Sequence, residues 1–145
     1  MRKGKRSLWL LFGLYLFVLL LLLFRRTPVE KPGMNLQLFQ TIRAYFLVLG
    51  REDPAGLALR PYAVTNFAGN LLVFLPLGAF LPLLLRRERS FFLFLLTAAG
   101  FICTVELMQL FTRRGSMDVD DLLLNLPGAC LGWLLWKLGS RKRTE

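Results

Sequence analysis

The chain has 145 residues, 55% of them hydrophobic, and a formal net charge of +10, which is the composition of a membrane protein rather than of a small soluble domain. Its lysines and arginines flank apolar runs and are not interleaved with aromatic residues on a soluble stretch, so the charge does not read as a nucleic-acid surface. There is no histidine, which excludes Ser-His-Asp and Cys-His catalysis and nearly every zinc site and leaves carboxylates, amides, guanidiniums and hydroxyls to carry any chemistry.

In chain order, a basic segment over 1–7 precedes Leu8–Phe24, 17 residues without a charge. The run is long, and its exit, FRRTPVE, lacks a small-x-small cleavage site, so it reads as an uncleaved anchor rather than a signal peptide. The stretch 25–66 is broken by Pro28, Pro32 and Gly33. It then places Leu38, Ile42, Tyr45 and Leu49 at helical spacing, with Gln37, Gln40, Thr41 and Arg43 turned away. That pattern predicts an amphipathic helix over about 35–49, N-capped by Asn35 and lying in the membrane interface, a re-entrant course being the alternative.

Three more apolar runs follow, Phe67–Leu85 with 19 residues, Phe91–Phe111 with 21 and Leu122–Leu138 with 17, and 139–145 is a basic tail. At about 1.5 Å per residue, such runs cover roughly 25–32 Å, close to a hydrocarbon core of about 30 Å. Inside a bilayer the backbone must satisfy its own hydrogen bonds, so each run is expected to be helical. The predicted fold is all-α, an integral membrane bundle of four transmembrane helices with an interfacial helix between the first and second. Pro76 and Pro82 are expected to kink the second span, while Gly128 and Gly132 form a GxxxG pair suited to close helix packing. Cys103 and Cys130 fall inside apolar runs and read as small hydrophobes rather than as a disulfide.

The segments 1–7, 86–90 and 137–145 hold 4, 3 and 4 basic residues against Glu88 and Glu145, whereas the longer segments 25–66 and 112–121 hold 6 and 2 against six acids. Positive charge marks the cytoplasmic side. The expected setting is a bacterial inner membrane crossed several times, with both termini cytoplasmic.

Polar residues within the runs are few. Asn66 and Asn70 open the second; Glu106 and Gln109 close the third on one face; Asp118, Asp121 and Asn125 lead into the fourth at i, i+3 and i+7, with Asp120 pointing elsewhere. Because the second and fourth runs start where the third ends, these groups converge at one membrane face, outward by the charge bias. Carboxylates are costly in a bilayer and usually face a cavity or a partner, which singles out Glu106. Asn70, Glu106, Gln109, Arg114, Asp118, Asp121 and Asn125 are therefore expected to line one polar pocket.

Two motifs among these residues resemble the VanZ-like family of small bacterial membrane proteins. One is NLLVFLPLGAFLP at 70–82, similar to the family's Asn, Phe-x-Pro, Gly pattern. The other runs from Glu106-x-x-Gln109 through Arg114 to Asp118-x-Asp120-Asp121-x-x-x-Asn125-x-x-Gly128. The segment NLQLFQTIRAYF is also similar, so the resemblance covers most of 35–136, with its core at 67–136. Leu126-Pro127 departs from the more usual small or polar residue after the Asn, and Arg113 duplicates the arginine, of which Arg114 has the family's spacing to Asp118. The resemblance implies an association with resistance to teicoplanin-type glycopeptides, which act outside the membrane on lipid-linked cell-wall precursors.

Three functional expectations follow. The first is a non-enzymatic envelope protein whose Arg114 pairs with an anionic headgroup or carboxylate of a lipid-linked precursor. The second is an intramembrane enzyme with Glu106 or Asp121 as the catalytic carboxylate; there Asp118 and Asp121 could share a divalent cation, although no histidine or thiol supports a metal site or any cofactor. The third is a structural bundle whose polar groups only join helices.

Overall fold

The computed structural model describes residues 3–25, 30, 33–115 and 117–141. Pro28 and Pro32, expected to break the first loop, and most of the basic tail lie outside the described residues. The chain is almost entirely helical: α1 (Lys3–Phe24), α2 (Gln40–Gly50), α3 (Pro54–Val73), α4 (Leu75–Leu84), a 3-10 turn (Arg86–Arg89), α5 (Phe91–Phe111) and α6 (Val119–Arg141). Two-residue strands, β1 (Met34–Asn35) and β2 (Met117–Asp118), pair in parallel with Asn35 opposite Asp118. Among the described residues, four helical segments are long and apolar enough to cross a membrane: Gly4–Phe24, Pro54–Leu84, Phe91–Phe111 and Val119–Ser140.

The second of these departs from expectation. It begins at Pro54 rather than Phe67, because Asp53 caps it through Gly56 N–H at 3.3 Å and Pro54 opens the first turn, where a missing N–H costs nothing. Arg60 and Pro61 interrupt its apolar pattern and hid this extension. Arg51 binds the Asp53 carboxylate at 2.6 Å, and that hydrogen-bonded guanidinium holds the carboxyl below its ordinary range. The helix breaks at Phe74 and restarts as α4. Pro76 cannot donate to the Leu72 carbonyl, and Gly78 N–H to Phe74 O at 3.3 Å resumes the ladder. The whole segment has 31 residues, or about 46 Å of helix, so its leading turns reach past a hydrocarbon core of about 30 Å.

The amphipathic helix begins at Gln40 rather than 35, and Asn35 is not its cap. Pairing with β2 holds Asn35 extended, and Phe39 at the actual cap position is left-handed with φ 63°. The fourth apolar helix starts at Val119, three residues before the predicted 122.

Packing centres on α6, which lies against α4, α3 and α5. Its glycines set the distance of approach. A Cβ on Gly128 would fall on the Leu71 carbonyl and one on Gly132 on the Leu75 carbonyl, while a Cβ on Gly78 of α4 would meet the carbonyl of Ala129. The core comprises Leu19, Phe74, Leu77, Leu81, Phe94, Ala98, Ile102, Ala129 and Trp133. On α5, Phe94, Ala98, Ile102, Val105 and Gln109 recur every three or four residues as one buried stripe. At one end of the bundle the Trp133 indole donates to Glu88 O at 3.0 Å. On the other side α1 packs mainly on α4, with Phe12 and Tyr15 beside the Phe80 ring at 5.6 and 5.9 Å and the Tyr15 hydroxyl donating to Val73 O at 2.9 Å.

Candidate functional site

The polar residues gather where α6 begins and α5 ends. Asp118 opens α6 in an Asx turn, its Oδ1 accepting Asp120 N–H at 2.9 Å. The same carboxylate takes the Thr41 hydroxyl at 2.6 Å and Asn35 Nδ2 at 3.2 Å. One helical turn on, Asp121 accepts Asn70 Nδ2 of α3 at 2.7 Å. Asn66, one turn earlier, donates to Tyr62 O of its own helix at 2.8 Å and stays outside this set.

Asp120 lies between these two and is fully buried. It accepts the backbone N–H groups of Phe39 at 2.6 Å, Thr41 at 2.7 Å and Ile42 at 3.2 Å. Those are donors that the start of an α-helix leaves without partners, and the left-handed Phe39 supplies no side-chain acceptor. Asp120 therefore caps α2 from another helix, with its charge where the helix dipole favours an anion. Asp120 falls off the 118–121–125 face, and that displacement is the signal in the sequence: a third acid in the same turn must point to a different neighbour.

The end of α5 faces α1. Gln109, 3% exposed, donates from Nε2 to Leu23 O at 3.0 Å, and Arg114 Nη1 reaches Phe24 O at 3.4 Å. Both carbonyls belong to the last turn of α1, which leaves such groups open. Arg113 adopts φ 56°, and this left-handed residue turns the chain back so that Arg114 N–H caps the Gln109 carbonyl at 2.9 Å. Arg113 is exposed and Arg114 half-buried. Glu106 is 5% exposed, one turn deeper.

Five of the seven expected residues thus form two hydrogen-bonded sets side by side, since β2 packs against the end of α5. Asn70, Asp118 and Asp121 join α3 and the 33–42 segment to α6; Gln109 and Arg114 join α5 to α1. Asn125, two turns into α6 and 3% exposed, has an Oδ1 with no hydrogen-bond partner among the described residues. Asp118 accepts from Thr41 and Asp121 from Asn70, and no group of three or more acids or cysteines among the described residues is arranged to hold a metal ion.

A sequence profile described as VanZ/LLP1 matches residues 9–140. The chain belongs to the VanZ/LLP1 family. The match runs from α1 almost to the end of α6, so the VanZ/LLP1 unit includes the first helix as well as the 35–136 stretch that carries the motif resemblance. Comparisons with curated proteins and with solved structures returned no match.

Proposed function

We propose that this VanZ/LLP1 protein is a non-enzymatic component of a bacterial inner membrane, with both termini cytoplasmic. In this reading the seam between α3, α5 and α6 faces outward and binds an anionic, lipid-linked envelope component. Its effect on the cell is reduced susceptibility to teicoplanin-type glycopeptides. The observation that carries the reading is the burial of Glu106, Gln109 and Asn125 at one end of the bundle, with Asn125 Oδ1 lacking a hydrogen-bond partner among the described residues. A membrane bundle needing polar groups only to join helices would be expected to pair a buried amide oxygen, because leaving one unmade costs about 1–3 kcal/mol. Arg114 supplies the positive charge for an anion, and the excess of basic residues in 1–7, 86–90 and 137–145 supports the orientation.

A second reading has its own support. Asn70, Asp118, Asp120 and Asp121 are all hydrogen-bonded within the fold, as a purely structural seam would have them. One experiment separates the two. Teicoplanin susceptibility is measured in a sensitive host expressing wild type, Glu106→Gln or Asp121→Asn, with membrane abundance quantified. Protection by wild type and its loss in the variants at equal abundance supports a binding site. Loss that follows abundance supports the structural seam, and no protection by wild type removes the glycopeptide role.

A further inference from the structure

Between the last two turns of α1 and the last turn of α5 lies a groove of about 830 Å³, walled by Phe17, Leu21, Phe24 and Met108, with Thr112 and Arg25 at one end. Here α1 packs on α4, while Gln109 to Leu23 O and Arg114 to Phe24 O tie its tip to the end of α5. We propose that this groove binds one hydrocarbon chain of an anionic membrane phospholipid, with the headgroup phosphate at Arg25 beside the seam.

The size falls within the range of about 300–1,000 Å³ typical of small-molecule sites. The walls are leucine, phenylalanine and methionine, flexible apolar surfaces that adapt to a chain. Leu20 and Leu22 of the lining and the adjacent Phe111 are exposed apolar residues, so the groove opens toward lipid. Among the described residues that line it, Arg25 is the charged one. The Thr112 hydroxyl is already committed to Met108 O at 2.7 Å, which leaves the guanidinium to meet a headgroup. The neighbouring carbonyl, that of Phe24, holds Arg114, so a second guanidinium sits within one residue of the mouth. Complementarity at this mouth, where Arg25 is the charged lining residue among those described, is toward an anion. A neutral zwitterion would gain little beyond chain burial. The place of the chain stands on the groove alone; the headgroup's role as part of the ligand rests on the reading of the seam given above.

The test is native mass spectrometry of the full chain in detergent, titrated with phosphatidylglycerol or phosphatidylcholine. Wild type is compared with Leu21→Trp, which fills the groove from an already exposed position, with Arg25→Gln, which removes the charge, and with Asp121→Asn in the seam. Several-fold greater retention of phosphatidylglycerol is expected, lowered to the phosphatidylcholine level by Leu21→Trp and by Arg25→Gln. Equal retention of both lipids, or phosphatidylglycerol bound by Arg25→Gln as by wild type, overturns the proposal even if Leu21→Trp does not fold. Retention by Asp121→Asn equal to wild type, together with no glycopeptide protection, leaves the groove standing and the seam reading fallen.

Discussion

The buried carboxylate of Asp120 accepts the backbone N–H of Thr41 at 2.7 Å across 79 positions of the chain. With Phe39 and Ile42 as its other donors, it fixes the start of α2 to the start of α6. Asp120→Ala leaves three N–H groups without their acceptor. Hydrogen bonds to a charged group contribute about 1.5–3 kcal/mol each, not additively, so a loss of about 2–4 kcal/mol is expected. Asp120→Asn should lose less, since one acceptor oxygen remains. Hydrogen exchange localises the effect: the amides of residues 39–42 should lose protection in Asp120→Ala while those in the middle of α5 keep it. Unchanged exchange at 39–42 would contradict the capping role.

The glycines of α6 make a second prediction. Alanine at Gly128 or Gly132 places a methyl on a backbone carbonyl of the α3–α4 segment, where no side chain can move aside. Overpacking of this kind typically costs about 1–3 kcal/mol. Gly100, on α5, has open space around its would-be Cβ, so Gly100→Ala should instead stabilise the helix by about 0.5–1 kcal/mol. Thermal unfolding in one detergent ranks the three variants; equal effects would mean that close approach does not decide them.

The seam itself separates paired from unpaired amides. Asn70 and Asp121 share a direct bond, and such pairs between membrane helices couple by about 0.6–1.7 kcal/mol. A double-mutant cycle of Asn70→Ala and Asp121→Ala should recover a coupling in that range. Asn125→Leu keeps the volume and removes the oxygen that has no hydrogen-bond partner among the described residues, so it should destabilise less than Asn70→Ala. A larger loss at Asn125 would assign it a structural partner and weaken the case for a ligand there.

Asp53 carries a pH dependence. Its carboxyl lies below the ordinary value of 3.8 because the Arg51 guanidinium binds it. A depressed carboxyl contributes stability that is present above its ordinary value and lost as pH falls through the lower folded-state value. Protection of the Gly56 and Leu57 amides, corrected for intrinsic rates, should therefore fall on acidification below 3.8. The effect should shrink with added salt, since the pair is exposed. Asp53→Asn should show no such acid step.

Much of the architecture was legible in the chain itself. The apolar runs ending at Phe24, Leu85, Phe111 and Leu138 were close to their structural ends, because transfer from water to hydrocarbon acts on each segment separately and leaves the backbone no choice but helix. Closing and opening residues such as Gln109, Asp118 and Asn70 could be placed at one end of the bundle because antiparallel succession of such helices follows from chain order. The GxxxG pair announced a close approach without naming its partner.

What the sequence could not decide is which side chain meets which. Asn35 looked like a helix cap because its type suits one, yet pairing with Met117–Asp118 draws it into a strand. The cap comes instead from Asp120, far along the chain. Likewise, spacing places Gln109 and Arg114 at the seam but does not show that they reach the open carbonyls at the tip of α1. Hydrophobic periodicity is a property of one helix and can be read from its own residues. A hydrogen bond between helices depends on their separation and rotation to within an ångström, and that was settled by where the glycines of α6 let it approach α3 and α4.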